Sequence, residues 1–413
     1  MATSSFKLGA RNLSYLTIGS LITKIISFGI YVYIPVKLGP EDYGILTAVS
    51  AYVAIFSVFT FTGLSKVLLR EGVKNIHNLS SYFSNYLPVK CIAVIIAIIL
   101  LLCSLFLSEL SGFVKLLITF SSIRLIYIGF KDYFSSIFMA KEKMKILGAL
   151  PIVNSLIFAI TSFFVLETGG GLLELVVIQI IVDVISLFFL IFFSSRQISF
   201  YTPAIQGINR TYLKQAAVFT LISVGVILST KIDIFMITYL ATKEEIGIYG
   251  VAEKIISQFE SFRGLIAVAF FPAFIKYFAT EKNFKIVFLG SVIALLLFLV
   301  LIYFFSPLLR ILILNFYGKE YLLSAQVASI LLYYLAFLFA MIPMTNILQA
   351  VSLERVVLFY IPFTISLNII GNIVLYKKFG LIGISYSTLL VYSVMFFYYF
   401  FVGTYYFRKK INE

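Results

Sequence analysis

Apolar runs of about twenty residues or more succeed one another along almost the whole chain, and no other feature limits the fold as much. At 1.5 Å of rise per residue, such a run is what an α-helix needs to cross about 30 Å of hydrocarbon. Twelve spans are expected, at 13–36, 44–68, 87–108, 113–139, 146–166, 172–194, 213–240, 246–275, 285–305, 324–350, 355–376 and 380–406. The chain is 61% hydrophobic and only 12% charged, where a soluble domain carries about 25% charged residues. The runs are continuously apolar, whereas a transmembrane β-barrel shows alternation over about ten residues. The expected fold class is therefore an all-α polytopic membrane protein of about 12 transmembrane helices. The two longest connections, near 195–212 and 306–323, are too short for a separate soluble domain.

The formal net charge is +14. In a soluble protein that would suggest nucleic acid; here it reads as the basic bias of cytoplasmic loops, and no nucleic-acid partner is expected. With a cytoplasmic N-terminus, 19 of the 32 Lys and Arg residues, Lys90 among them, fall in segments on that side, 7 on the other and 6 within spans. Both termini are thus expected in the cytoplasm, with the run at 13–36 an uncleaved first span, too long for a signal-peptide core. His77, the single histidine, sits in a polar loop, so no histidine-based metal site or triad can be built. Cys91 and Cys103 lie in one apolar run and read as small buried hydrophobes. No Gly-rich phosphate loop, Cys/His cluster or ATPase domain is visible, so neither an enzyme nor a cofactor is expected. Any energy would come from a Na⁺ or H⁺ gradient or from consumption of the product.

Against that background the charges inside spans stand out. A mid-span charge costs about 2.5–3.5 kcal/mol on insertion scales, so each should be paired, near an end or facing water. Thr17, Ser20, Lys24, Ser27 and Tyr31 recur at steps of three and four, on one face of the first span. Ser121, Arg124, Ile128, Lys131 and Ser135 repeat the pattern in the fourth span. Two cations on one face suit an extended anion; the competing reading pairs them with Asp132 or Asp183. Inside the spans of the stretch 229–264 lie six more charges: Lys231, Asp233, Glu253, Lys254, Glu260 and Arg263. Lys231 and Asp233, two apart, point to different sides of a helix, whereas Glu260 and Arg263, three apart, can pair. Lys24, Arg124, Lys131, Lys231 and Arg263 are the candidate anion-binding residues, and Asp233, Glu253 and Asp183 the candidates for ion coupling. Asn346 with Gln349, and Asn368 with Asn372, continue polar stripes in the second half and are candidate glycan contacts, with helix–helix hydrogen bonding as the plainer reading.

The halves resemble each other. Glu41-Asp42-Tyr43-Gly44-Ile45 follows the first span and Glu244-Glu245-Ile246-Gly247-Ile248 follows the seventh, at an offset of 203. A second match, Lys141-Glu142-Lys143 before Pro151 and Leu353-Glu354-Arg355 before Pro362, lies at similar offset. The expected organisation is two six-helix bundles, 1–200 and 201–413, related by a parallel internal repeat. Such repeats suit a transporter with its substrate site between the halves.

Lys37-Leu38-Gly39-Pro40-Glu41-Asp42-Tyr43-Gly44, after a helix starting near Arg11-Asn12, resembles the opening of the polysaccharide (O-antigen repeat-unit) flippases. These belong to the multidrug/oligosaccharidyl-lipid/polysaccharide exporter superfamily. Lys231-Ile232-Asp233-Ile234-Phe235-Met236, then Glu245-Ile246-Gly247-Ile248-Tyr249, and Pro272, resemble the second-half signature of that family. The resemblance implies translocation of a polyprenyl-diphosphate-linked oligosaccharide, such as an O-antigen or capsule repeat unit, from the inner to the outer leaflet of the bacterial inner membrane. Membrane lipids and polysaccharide polymerase or assembly proteins would be its partners. Related lipid flippases carry cavity cations on their first, second and eighth helices; here Lys24, Lys66 or Arg70, and Arg263 fall on those helices. The alternatives are a cation-coupled drug or organic-cation antiporter of the same superfamily, which would want an acidic, aromatic cavity, and a membrane polysaccharide polymerase.

Overall fold

The computed structural model describes residues 2–202, 208–263, 284–345 and 354–412. Two expected glycan contacts, Asn346 and Gln349, and the expected span at 246–275 beyond residue 263, lie outside the described residues.

The described secondary structure is helical, with no strand. In chain order the helices are α1 (Ala2–Phe56), α2 (Thr62–Lys74), α3 (Leu79–Phe106), α4 (Gly112–Ser121), α5 (Arg124–Ala140), α6 (Lys145–Glu167) and α7 (Leu172–Ser195). They continue as α8 (Arg210–Leu240), α9 (Lys243–Glu260), α10 (Phe284–Tyr317), α11 (Leu322–Ala340), α12 (Glu354–Phe379) and α13 (Leu381–Asn412). Nine segments among the described residues are long and apolar enough to cross a membrane. One of them, Ser14–Thr60, contains the expected first span and most of the second. They are joined across Gly39, whose φ of 77° lies in the region that favours glycine, just before Pro40. The expected spans at 246–275 and 355–376 begin in α9 and lie in α12, neither among the nine.

Two expected spans are interrupted. The run 44–68 breaks at a 3₁₀ turn, Ser57–Thr60, followed by Phe61 at φ 56°. The Ser57 and Thr60 hydroxyls donate back to the carbonyls of Ala54 and Ser57, at 2.6 and 2.8 Å, the local competition that bends helices. The run 113–139 divides between α4 and α5 at the pair Ser121-Ser122. Ser121 therefore ends one helix while Arg124 starts the next, and the expected stripe from Ser121 to Ser135 is not carried by a single helix. Lys90, counted with the cytoplasmic-side residues in the sequence reading, lies well inside α3 and is wholly buried. Cys103 is exposed and Cys91 half-buried, so neither is the buried hydrophobe expected.

Contacts group the chain into two compact units, one of Met1–Leu38 with Ala48–Ile227 and one of Gly39–Thr47 with Leu228–Glu413. In the first unit α2 and α7 pack on α5, α3 closes over it, and α6 lies on α7. Its core brings together Leu64 and Leu68 of α2, Phe83 and Tyr86 of α3, and Tyr133 and Phe138 of α5. In the second unit α11 packs on α9, α10 and α13, and α12 on α13. The outward surfaces stay apolar: Ile25 is 74% exposed, Phe304 73% and Leu107 90%, exposure that only lipid tolerates over so wide an area.

The second unit also holds a reciprocal backbone contact. The Thr242 hydroxyl accepts the Glu245 amide and the Glu245 carboxylate accepts the Thr242 amide, a capping box that starts α9. A Cβ on Gly44 would lie 1.8 Å from the Lys243 carbonyl oxygen, and one on Gly247 would lie 1.9 Å from that of Pro40. Moving each residue by the offset of 203 exchanges the two contacts. Lys243 completes the junction with an ion pair to Glu41 at 3.2 Å.

Candidate functional site

The second unit gathers its polar side chains on α8, α9, α11, α12 and α13. Asp233 of α8 is buried. It accepts the Asn372 amide of α12 and the Thr388 hydroxyl of α13, each at 2.8 Å, on different carboxylate oxygens. The same Asn372 nitrogen donates to the Asn368 oxygen at 2.7 Å, one turn earlier on α12. The Asn372 oxygen, also buried, has no hydrogen-bond partner among the described residues. Asn368 and Asn372, candidate glycan contacts by sequence, are thus buried beside the coupling candidate Asp233. Lys231, two residues from Asp233, forms an ion pair with Glu253 at 2.6 Å. The helical geometry anticipated that Lys231 and Asp233 point apart; the partner of each comes from another helix.

Asp233 and Glu253 line a small, partly open cavity of about 30 Å³, together with Glu260, Tyr249, Tyr334 and Tyr392. The Tyr334 and Tyr392 rings stack with centroids 4.6 Å apart, and the Tyr334 hydroxyl reaches the Glu260 carboxylate at 3.5 Å. Arg263, half-buried, is near enough to act on Glu260 electrostatically. The wall is acidic and aromatic, a composition that attracts cations both by charge and by the faces of the rings.

In the first unit the candidate cations differ in partner and exposure. Arg124 donates to Asp183 at 2.8 Å, and Asp183 is only 8% exposed. This is the pairing alternative left open by the sequence, and it occupies both residues. Lys131 is exposed, its ammonium 5.9 Å from the centroid of the Tyr127 ring. Lys24 is half-buried on α1, with Thr17, Ser27 and Tyr31 half-buried and Ser20 exposed along the same stripe. Lys66 and Arg70 lie one turn apart on α2. The Lys66 ammonium, exposed, donates to the Ser223 hydroxyl at 3.1 Å, and Arg70 reaches Gln215, both partners on α8. Arg70, 40% exposed, also pairs with Glu71 at 2.8 Å, and Lys74 joins at 3.1 Å. Burial alone would raise the Glu71 pKa, but the hydrogen bonds and charges of Lys74 and Arg70 outweigh it and hold the carboxyl below the usual range.

Sequence reading missed Thr388 and the three tyrosines of the cavity. A hydroxyl cluster, Ser385, Ser387 and Thr388, does mark α13 as polar within an apolar run, but the tyrosines carry no local signal in a chain with 27 of them.

Residues 10–278 match the family described as Polysaccharide biosynthesis protein. No curated protein matches the chain. Among solved structures, it is similar to the inward-facing conformation of a multidrug resistance MATE family transporter of the MOP superfamily: TM-score 0.73, 16% identity, covering 97% of this chain and 98% of that one. Similarity to the lipid II flippase MurJ in an inward closed conformation has a TM-score of 0.71 at 15% identity, covering 94% and 87%. A MOP superfamily transporter from Pyrococcus furiosus, described as having a binding pocket of reversed polarity that suggests a different function, gives 0.60 at 16%, covering 96% and 95%. At these identities the likeness is one of fold.

Proposed function

Because the chain belongs to the polysaccharide biosynthesis protein family, within the multidrug/oligosaccharidyl-lipid/polysaccharide exporter superfamily, we propose that it is a flippase for a polyprenyl-diphosphate-linked oligosaccharide. The unit moved is an O-antigen or capsule repeat, passed from the inner to the outer leaflet of the bacterial inner membrane by alternating access. The observation that carries this reading is the pair Lys66 and Arg70. They sit one turn apart and reach Ser223 and Gln215 of α8; Lys66 is exposed beside a neutral partner, and Arg70 stays 40% exposed while sharing Glu71 with Lys74, whereas Arg124 is held by Asp183 and Lys231 by Glu253. Two cations one turn apart on a helix face match a diphosphate, and guanidinium can supply bidentate contact. Lys24 and Lys131 extend the basic surface of the same unit. The lipid tail needs no site, since it can remain in hydrocarbon. A polymerase or assembly protein that consumes the flipped unit would draw the process outward.

The coupling ion would bind at Asp233. Its carboxylate, the Asn368 and Asn372 side-chain oxygens and the Thr388 hydroxyl are hard oxygen donors, and the unpartnered Asn372 oxygen is one a cation would satisfy. A single carboxylate suits a monovalent charge, Na⁺ or a proton. The ion would supply positive charge to a group that is otherwise buried among neutral partners.

The acidic, aromatic cavity favours a second reading, a cation-coupled antiporter of organic cations. One experiment separates the two. In a flippase-null strain, the parent chain should restore surface polysaccharide. Lys66→Ala with Arg70→Ala should abolish it at unchanged protein level, and Asp233→Asn should remove the dependence on the cation gradient. Restored resistance to organic cations with no surface polysaccharide would establish the antiporter instead.

A further inference from the structure

The ammonium of Lys90 is buried completely and meets backbone. It donates to the Thr60 carbonyl at 2.6 Å and approaches that of Phe61 at 3.4 Å. These carbonyls belong to the break between α1 and α2, where Phe61 adopts a left-handed conformation that a non-glycine residue resists. Thr60 closes the 3₁₀ turn, and such an end leaves carbonyls unpaired with partial negative charge, so a cation there completes the hydrogen bonding and is favoured electrostatically; the Phe61 carbonyl also accepts the Leu64 amide. The third wall is α5. A Cβ on Gly129 would lie 3.2 Å from the Thr60 Cβ and 2.6 Å from Val94, so the missing side chain lets α5 press against the break. Asp132, three residues on, is the acidic group that acts on Lys90. One side chain thus ties α3 to a strained turn in front of α5.

The arm leaving that turn is α2, and α2 carries Lys66 and Arg70. Its start is held a second time, against α8. Gly63 packs so closely on α8 that a Cβ would lie 2.1 Å from the Ala216 carbonyl, and its amide donates to the Thr220 hydroxyl at 3.1 Å. We infer that Lys90 is a positioning residue for headgroup binding: by fixing the break before α2 it sets the direction in which Lys66 and Arg70 present their charge. The inference rests on the flippase reading for what those charges meet. The pinning of α2 itself can be measured without transport.

The experiment uses the full chain with Cys91→Ala, Cys103→Ala, Lys66→Cys and Ser223→Cys, and a short bis-maleimide as a ruler between α2 and α8. Lys90→Met should lower cross-linking on the order of tenfold, and Lys90→Arg, which keeps a cation able to reach carbonyls, should restore it. Should Lys90→Met fail to accumulate, Lys90→Gln keeps a donor but is too short for both carbonyls, and it should show the same loss. In chains retaining Lys66 and Ser223, the same Lys90 variants should lower surface polysaccharide in parallel, with Lys90→Arg active. Parental cross-linking in Lys90→Met or Lys90→Gln would overturn the pinning. Lost cross-linking with parental polysaccharide, while Lys66→Ala with Arg70→Ala is inactive, would overturn the positioning role. Parental polysaccharide in that last variant would instead defeat the flippase reading and leave the pinning standing.

Discussion

Arg124 and Asp183 show what decides the fate of a charge in lipid. With 21% and 8% of their side chains exposed, they are too buried for water to screen either one alone. Breaking such a pair from one side leaves an uncompensated charge and costs about 3–5 kcal/mol, whereas replacing both by apolar groups is often neutral. Asp183→Leu should therefore lower the midpoint of thermal unfolding in detergent, and Asp183→Leu with Arg124→Met should recover most of the loss. A double variant as stable as the parent but inactive would restore Arg124 to the list of substrate contacts. Glu71 gives a prediction of opposite kind, since its carboxyl is held below its ordinary pKa by Lys74 and Arg70. A depressed folded value means the stabilisation is fully present above the unfolded pKa of about 4.3 and is lost as pH falls through the folded value. A Glu71→Gln variant should thus be less stable than the parent at neutral pH, and the gap should close on acidification below that range, as read by unfolding midpoints across pH. The identities of these residues were legible in the sequence; their partners were not. Arg124 and Asp183 are 59 positions apart, and Lys231 and Glu253 22, so helical spacing could say only which face each occupies.

At the scale of the element, the turn after the first span and the turn after the seventh were legible together, because each combines acidic residues with a glycine at matched positions. Their contact makes physical sense of the glycines. Each gives up its side chain to a carbonyl of the opposite turn, which is the mutual exchange a duplicated turn would produce on meeting its copy. Gly247→Ala should force the Pro40 carbonyl away and cost about 1–3 kcal/mol by overpacking. A thermal-unfolding shift of comparable size is expected for Gly44→Ala, and parental stability of either would refute the close approach. The interruptions at Phe61 and at Ser121-Ser122 were not legible. Neither contains proline, both sit inside continuous apolar runs, and the bends depend on serine and threonine hydroxyls turning back on their own carbonyls. Hydropathy sees those residues as tolerable within a span. Lys90 falls near the start of the expected span 87–108 and counts with the cytoplasmic side in the sequence reading, because a lysine whose hydrogen bonds go to backbone carbonyls leaves no pairing pattern in the sequence.

Across the whole molecule the governing quantity is the asymmetry of basic residues, and it survives the loss of Lys90. Removing that one residue from the 19 counted on the cytoplasmic side leaves 18 against 7. The bias acts on short connections during insertion, and the 141–145 loop joins two segments that are each long and apolar enough to cross a membrane. That loop is also fixed locally. Lys141 donates to the Gln197 carbonyl, and Lys143 to the Gln197 side chain at 2.7 Å, so these two basic residues and the segment after α7 present one face. The proposed outward transfer of an anionic headgroup would require this face to lie on the side where lipid-linked sugars are made. In a Cys91→Ala, Cys103→Ala background, a Glu142→Cys variant should resist a membrane-impermeant maleimide in intact spheroplasts and react with it in inverted vesicles. A cysteine introduced at Lys115, between α3 and α5, should show the reverse pattern. Labelling of position 142 from outside would invert every span, place Lys66 and Arg70 at the outer leaflet, and turn the proposed direction of transport around.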